Sequence, residues 1–483
     1  MKLDIRFEAK QLLEFFLLII IIPIFEKVDA DIWTILSVEV ILLSFFICLK
    51  NINSNIYFFF FLVSFFIYLM SGDIAELFFH RYYYLRFEDD AVIHAHLCIF
   101  ISLLGLYLGY ILTKSPKNFY MKKYDINYIK KYIITLKNIR FISKKIYFIT
   151  YLFLIFNTID TIRFVSNNGY IAYYTSFTPM LPLIFVKIGE FTFLVLCIYL
   201  STFPTKKESF LVICSYLFYS LLVLFIGSRS GIVYNTIFIL CYCFYRNKTD
   251  KGKSIWISKK IIAILLVCVP FILSFLFLYE FIRTGRSVEF TSIGDAVIDF
   301  FVNIGSSSQI IKYGYVYRDE IPNFKFYSLG GTLNYFKYGR LFNLFSPELI
   351  PPRHSVEFAT QSHAFSAILP YLVMKEAFLN GQGTGSSFIA ELFADFKYWG
   401  VGFGSMIYGW FFKKMSYISN KNWLLTTIKL YIFHFMLSAP RGSYDNFISG
   451  ILNISNIVVV LSIWFLAKIY QDFFVLKIKK RLK

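Results

Sequence analysis

Charge is scarce in this chain of 483 residues: Asp, Glu, Lys and Arg make up 16% of it, against 57% hydrophobic residues. A chain so composed lacks the polar surface to cover its own core in water, which excludes a soluble globule. Cysteine is sparse too, and all seven (Cys48, Cys98, Cys197, Cys214, Cys241, Cys243 and Cys268) fall inside apolar runs. No disulfide framework or cysteine zinc site is therefore implied outside the membrane. None of the six histidines falls in a basic link. His94 and His96 stand two apart, a spacing that points them to different faces of a helix, so no metal is expected. An internal repeat of the kind that builds inverted-repeat transporters is also missing.

What the chain has in abundance is apolar runs, recurring from Leu12 to Ala467; a helix needs roughly 17–25 residues to cross a hydrocarbon layer, and the several shorter runs must extend into flanking polar residues or tilt little. Spans are expected at Leu12–Phe25, Ile32–Leu49, Ile56–Met70, Val92–Leu112, Ile146–Ile162, Leu183–Leu200, Phe210–Ile226, Ile232–Tyr245, Ile261–Tyr279, Phe388–Phe412, Trp423–Leu437 and Phe447–Ala467. The fold class is an all-α polytopic membrane protein with about twelve transmembrane helices. The first run, after Lys2, Arg6 and Lys10, resembles a signal peptide. Glu26-Lys27-Val28-Asp29 follows it without a small-x-small cleavage site, so it reads as an uncleaved span.

The net charge of +19 does not point to nucleic acid, because the basic residues concentrate in short links. Lys50, the stretch from Lys114 to Lys145, Lys206-Lys207, Arg246 to Lys260, Lys413-Lys414 and the tail from Lys477 all fall on one side of the expected membrane, with the amino terminus. By the positive-inside rule both termini are cytoplasmic. The opposite links are acidic or mixed, and one is long: Arg283 to Ser387. The chain therefore divides into residues 1–282 with nine spans, one large outward-facing loop at 283–387, and residues 388–483 with three spans.

Within that loop Asp295, Asp299 and Asn303 alternate with Val297, Phe300, Phe301 and Ile304 at helical spacing, which predicts an amphipathic helix in the interface plane. A Tyr/Phe-rich irregular stretch follows, from Tyr313 to Arg340. Pro351-Pro352-Arg353-His354 breaks it, and Ser362 to Phe378 is expected to form a further helix around Pro370.

Arginines gather at the outer ends of the spans. Arg229 lies in Gly227-Ser-Arg-Ser-Gly231, a turn short enough to hold its guanidinium at the membrane boundary; Arg283 and Arg286 close the next outward span, and Arg441 follows Pro440 in the last outer turn. A guanidinium offers a rigid donor fork for phosphate oxygens and stays charged where water is poor. Snorkelling to headgroups or pairing with local acids is the alternative. Glu391 and Asp395 stand one helical turn apart on one face, and Lys397 is near enough to neutralise one of them. Lys187 and Glu190 can pair with each other. His363, in Gln361-Ser-His-Ala-Phe365, is a candidate to deprotonate a sugar hydroxyl. The aromatic and amide side chains around Tyr315 and Tyr317, with Arg340 and Arg353, suit carbohydrate, although interfacial packing would use the same residues.

With these residues in place, the chain resembles the Wzy-type polymerases of bacterial O-antigen and capsule repeat units. Phe225-Ile-Gly-Ser-Arg-Ser-Gly231 resembles the family's Gly-x-Arg turn. Gly383-Thr-Gly-Ser-Ser-Phe-Ile-Ala-Glu-Leu-Phe-Ala-Asp-Phe396, followed by Trp399-Gly-Val-Gly402, is similar to its pattern entering the span after the large loop, except that Lys397 stands where Gly is common. Arg283 and Gly294 match an Arg-x10-Gly spacing. The resemblance implies a GT-C-like glycosyltransferase of the bacterial inner membrane, without cofactor or metal. It would transfer a growing glycan from undecaprenyl diphosphate to an incoming lipid-linked repeat unit in the periplasm. Arg229, Arg283 and Arg441 would stabilise the leaving diphosphate, Arg286 would orient it, and His363 or Glu391/Asp395 would act as base. Substrate contacts fall to Arg286, Tyr315, Tyr317, Arg340 and Arg353. The implied partners are membrane lipids, the lipid-linked oligosaccharide, a chain-length regulator and a flippase. An O-antigen ligase, a polyprenyl-phosphate-sugar glycosyltransferase using Glu88-Asp89-Asp90, and a lipid-oligosaccharide flippase or transporter are the alternatives.

Overall fold

Each expected span that falls among the described residues is helical, although the one at Phe447–Ala467 is broken at Asn453 into Asn446–Leu452 and Ile454–Arg481. The computed structural model of the chain describes residues 28–81, 85–114, 126–170, 172–227, 229–250, 255–284, 292–339, 350–417 and 422–481, and among these there is no strand. The span expected at Leu12–Phe25 lies outside them. Among the described residues, eight helices are long and apolar enough to cross a membrane: Ala30–Lys50, Ser54–Phe79, Asp89–Leu112, Tyr132–Asn168, Leu183–Ser201, Lys206–Ile226, Lys260–Tyr279 and Ile454–Gln471. The remaining expected spans are helices at Arg229–Thr249, Phe388–Tyr417 and Trp423–Leu437, set apart by polar residues in the first two and by shortness in the third. Two helices run well past their expected ends. The third expected span continues beyond Met70, through a π-helical turn at Phe66–Met70, because Ile74, Leu77, Phe78 and Phe79 prolong its apolar content. It stops at His80, whose φ of 52° is left-handed. The helix Ile126–Asn168 begins in the basic stretch, since Lys and Ile are compatible with helix wherever water solvates the charges.

Contacts divide the chain into two compact units that do not follow chain order. The first takes the described parts of Met1–Ser115, Ile257–Ser416 and Met436–Asn446. Its centre is the crossing of Asp89–Leu112 with Phe388–Tyr417, where glycines let backbones meet: a Cβ on Gly105 would lie 2.5 Å from the Gly402 carbonyl oxygen, and one on Gly109 2.0 Å from that of Met406. Ser102 and Ser405 hydrogen-bond across the same seam at 2.8 Å. Phe58 stacks on Tyr110 at 4.2 Å and Phe61 packs against Phe412 at 4.5 Å, which closes the layer towards the neighbouring helix.

The expected amphipathic helix is present at Ile293–Gly305, started by Ser292, whose hydroxyl accepts the Asp295 N–H. Its apolar side meets protein. Ala296, Phe300, Val302 and Ile304 are buried, Gly305 lies so near Gly72 that a Cβ would fall 2.3 Å from the Gly72 nitrogen, and the Phe301 carbonyl accepts Ser71 Oγ at 3.0 Å. Arg81 is engaged with Asp295 at 2.6 Å, the local pairing that competes with a functional role. The stretch expected to be irregular instead folds into two short helices, Gln309–Val316 and Gly330–Tyr338. Phe365–Val373 contains Pro370 and breaks at Met374, after which Lys375–Leu379 follows. A small apolar core of Ala359, Ala367 and Phe378 binds these pieces together.

One charged cluster is buried in this unit. Asp73 lies 3.4 Å from both Lys312 and His96, and each of the three is at most 7% exposed. His96 Nδ1 in turn meets Thr34 Oγ1 at 2.8 Å, beside a cavity with room for about one water molecule. The cluster attaches the Gln309–Val316 helix to the membrane helices, its opposite charges offsetting the desolvation that either would suffer alone.

The second unit takes the described parts of Pro116–Trp256, Tyr417–Phe435 and Phe447–Lys483. Asn235 organises its interior, accepting from Tyr216 Oη at 2.8 Å, meeting His434 Nε2 at 2.9 Å, and donating to Ser220 Oγ at 2.8 Å. Near the far end of the same helix Arg246 is 3% exposed, paired with both oxygens of Asp250 at 3.0 and 3.1 Å, donating to the Pro204 carbonyl at 2.7 Å and packed 4.5 Å from the Trp256 ring centroid. Lys187 and Glu190 pair at 2.8 Å on the surface.

Candidate active site

The helix Phe388–Tyr417 is the beam on which the site of the first unit is hung. Its backbone leaves helical geometry at Phe396 and Lys397, the latter at φ 53°, a region that favours glycine. The kink ends the first stretch of helix just after Asp395. The Lys397 amine lies 5.3 Å from the Phe393 ring centroid, and neither neighbouring carboxylate forms an ion pair with it among the described residues.

Glu391 and Asp395 bind backbone instead. Glu391 is fully buried; its Oε1 accepts Ser386 Oγ at 2.6 Å and its Oε2 accepts the Tyr444 N–H at 2.8 Å. Asp395 accepts the N–H groups of Tyr327 and Ser328, both at 2.8 Å, and Ser328 Oγ at 2.6 Å. Each carboxyl group thus fastens a different piece of chain to one helix. A third carboxylate, Asp445, continues the pattern. It accepts from Gly331 at 3.2 Å and from Thr332 at 2.6 Å, at the start of the Gly330–Tyr338 helix.

His363 completes the assembly. Its N–H donates to Asn334 Oδ1 at 2.9 Å, and its carbonyl lies so close to Gly330 that a Cβ there would fall 2.0 Å from the oxygen. Lys325 donates to the carbonyls of Thr360 and Ser362, the latter at 2.9 Å, and Lys337 to that of Gln361 at 3.2 Å. Burial, then Lys325, then Lys337 hold the imidazole below the ordinary histidine range, so it stays neutral to lower pH. Its Nδ1 is enclosed and has no hydrogen-bond partner among the described residues. Of the three candidate bases, His363 alone keeps a ring atom uncommitted.

The other expected residues divide as follows. Arg441 ends the 3-10 turn Ala439–Arg441 and is exposed, four residues before Asp445 in the same loop. Arg353 is exposed beside Pro351-Pro352, where His354 Nδ1 meets the Phe378 carbonyl at 3.0 Å. Tyr317 caps the Gln309–Val316 helix. Tyr315 is engaged within the protein: His94 stacks on its ring at 4.3 Å and the Arg318 guanidinium lies 4.1 Å from its centroid. Arg283 falls in the last turn of Lys259–Thr284, its side chain outside the described residues; Arg286 and Arg340 lie outside them altogether. His94 and His96 do face different neighbours, and no group of metal-ligating side chains occurs among the described residues.

Arg229 belongs to the second unit. It opens the helix Arg229–Thr249 two residues after Gly227, which closes the preceding helix at φ 107°. No acidic residue occupies the first turn of the new helix, and Nη1 of Arg229 is enclosed. A cation at this position opposes the partial positive charge of the helix N-terminus, an arrangement that an anion would relieve. Sequence reasoning singled out Arg229 but not Asp445, Asn334, Lys325 and Lys337, which the structure places around the His363 segment. Their partners are remote along the chain, and the one local hint was an acid in the same short turn as Arg441.

An all-helical, multi-pass membrane protein with an arginine at a helix entry, and with a histidine and three carboxylates gathered at one end of a helical unit, is the class defined by these features. Over residues 10–472 the chain matches the family described as O-antigen polysaccharide polymerase Wzy, and it belongs to that family. Members are polymerases that act on lipid-linked oligosaccharide repeat units. No curated protein and no solved structure matches the chain.

Proposed function

We propose that this protein joins undecaprenyl-diphosphate-linked repeat units at the periplasmic face of the bacterial inner membrane, as an O-antigen or capsule polymerase. The observation that carries the reading is the family match over nearly the whole chain. In the reaction, an acceptor hydroxyl oxygen of the incoming unit attacks the anomeric carbon of the growing glycan's reducing-end sugar. The bond from that carbon to the diphosphate oxygen breaks, the diphosphate leaves with the electron pair, and the hydroxyl proton passes to a base. Arg229, Arg283 and Arg441 supply positive charge to the leaving group, with Arg286 orienting it. His363 is the base, because the oxygens of Glu391 and Asp395 already accept hydrogen bonds from backbone N–H groups and serine hydroxyls and serve to hold the site in place. Tyr317, Arg340 and Arg353 remain for the glycan, while the Tyr315 ring is engaged by His94 and Arg318.

The decisive experiment supplies purified protein in lipid vesicles with lipid-linked repeat units. A ladder of products longer than two units is expected; transfer to a lipid A core without elongation would establish a ligase instead. In cells, deletion of the gene should leave a single unit attached to core, and loss of that unit would favour a flippase. Asp89 and Asp90, central to the polyprenyl-phosphate-sugar alternative, are exposed at the start of Asp89–Leu112, where negative charge suits the helix N-terminus.

The reading sets a pH dependence. A base must be neutral, and the imidazole is held low by burial and by two ammonium groups. The acid limb of the rate profile is therefore expected below the ordinary histidine value of about 6.5. Lys325→Ala removes a positive neighbour, raises the His363 pKa and should move that limb to higher pH. A limb that stays in place would show that another group is the base.

A further inference from the structure

We infer that Asp445 is a positioning residue for His363, acting through the Gly330–Tyr338 helix; the inference rests on the reading of His363 as base. Asp445 is completely buried, yet among the described residues it forms no salt bridge; its oxygens go to the N–H groups of Gly331 and Thr332. Those groups belong to the first turn of a nine-residue helix, where a carboxylate fixes both the position and the axis of the helix. The approach is close: a Cβ on Gly331 would lie 2.9 Å from Asp445 Oδ1.

From that fixed start the helix makes three contacts with the histidine segment. Gly330 admits the His363 carbonyl, Asn334 Oδ1 takes the His363 N–H at 2.9 Å, and Lys337 donates to the Gln361 carbonyl at 3.2 Å. Asp445 is itself immobilised, because its neighbour Tyr444 donates its N–H to Glu391 and packs its ring on Tyr408 at 4.6 Å. The loop that carries Arg441 therefore also sets the place and the electrostatic surroundings of the base. Leaving-group stabilisation and proton removal are registered to each other through one carboxylate.

The test uses full-length protein in lipid vesicles with lipid-linked repeat units, recording rate against pH. Asp445→Asn keeps one acceptor oxygen but turns an amide NH2 towards a backbone N–H. The helix start should shift, the rate fall by about 10²-fold, as small misplacements of reacting groups do, and the acid limb move towards the ordinary histidine value as burial and Lys337 are lost. Asn334→Ala, which leaves the Asp445 contacts intact, should move the limb the same way, and it carries the test alone if Asp445→Asn does not fold. The double variant should be little worse than the worse single one, because both changes cut the same path. An unmoved limb in Asn334→Ala, or effects that multiply in the double variant, would overturn the inference. His363→Ala separates the two levels: retained polymerisation removes the base reading itself, whereas an inactive His363→Ala beside an unmoved limb removes the positioning role alone.

Discussion

Arg229→Ala is expected to collapse the glycan's chain-length ladder to short products and to slow polymerisation by about 10²- to 10³-fold, the loss typical of removing one preorganised donor from a developing negative charge. The expectation comes from where the residue stands. A guanidinium at the first position of a helix stands beside the partial positive charge of the helix N-terminus, so an anion bound there would be stabilised by both. Backbone N–H groups of the same turn would add to that anion's binding. Arg229→Lys keeps the charge but loses the planar fork, so it should recover part of the rate and leave the Michaelis constant for the lipid-linked donor raised. Both variants should be extracted in normal amounts, since Arg229 opens a helix whose interior is held by Asn235 and Arg246. An unchanged ladder in Arg229→Ala would remove this residue from the mechanism.

Arg246 shows why arginine content alone is a poor guide. It lies on the same helix as Arg229, but its charge is spent on Asp250, a carbonyl and an indole ring. Nothing in the local sequence separates the two except the short Gly/Ser turn before Arg229, and that turn is what made Arg229 legible. The helices were legible for a related reason: each is a long apolar run, and hydropathy reports burial in lipid directly. The kink at Phe396 and Lys397 was not, because a lysine carries no signal for a left-handed φ. The helices at Gln309–Val316 and Gly330–Tyr338 were hidden by their brevity, each too short to establish a period. Glu391 and Asp395 were correctly placed on one helix face. Their partners were invisible, since Tyr327, Ser328 and Tyr444 contribute backbone N–H groups that every residue possesses. The large loop therefore reads differently once folded: Tyr327, Ser328, Gly331 and Thr332 are tied down by Asp395 and Asp445, carboxylates that lie beyond the loop in the chain and serve as its fastenings.

Gly109→Val is expected to have the largest effect on the fold. The seam between Asp89–Leu112 and Phe388–Tyr417 is made by backbones in contact: a Cβ on Gly109 would lie 2.0 Å from the Met406 carbonyl oxygen and 2.8 Å from its carbon, while one on Gly409 would lie 2.1 Å from the Leu106 oxygen. Neither obstacle is a side chain that can rotate away. The helices must separate, which breaks the Ser102–Ser405 hydrogen bond and loosens the Phe58, Tyr110, Phe61 and Phe412 layer beside it. In lipid there is little hydrophobic force to draw the helices back, because association depends on close packing and hydrogen bonds. The loss should reach about 4 kcal/mol, at the exceptional end for a point substitution. It would be seen as failure to recover monodisperse protein from detergent, or as a large drop in melting temperature. Gly383→Ala is the control: a Cβ there meets nothing within 4 Å, and its stability should be unchanged. The same helix carries Glu391 and Asp395, so any Gly109→Val protein that does fold should also lose polymerisation, through displacement of the segments that hold His363 and Arg441. A variant that melts like the parent and extends glycan normally would show that this seam does not set the geometry of the site.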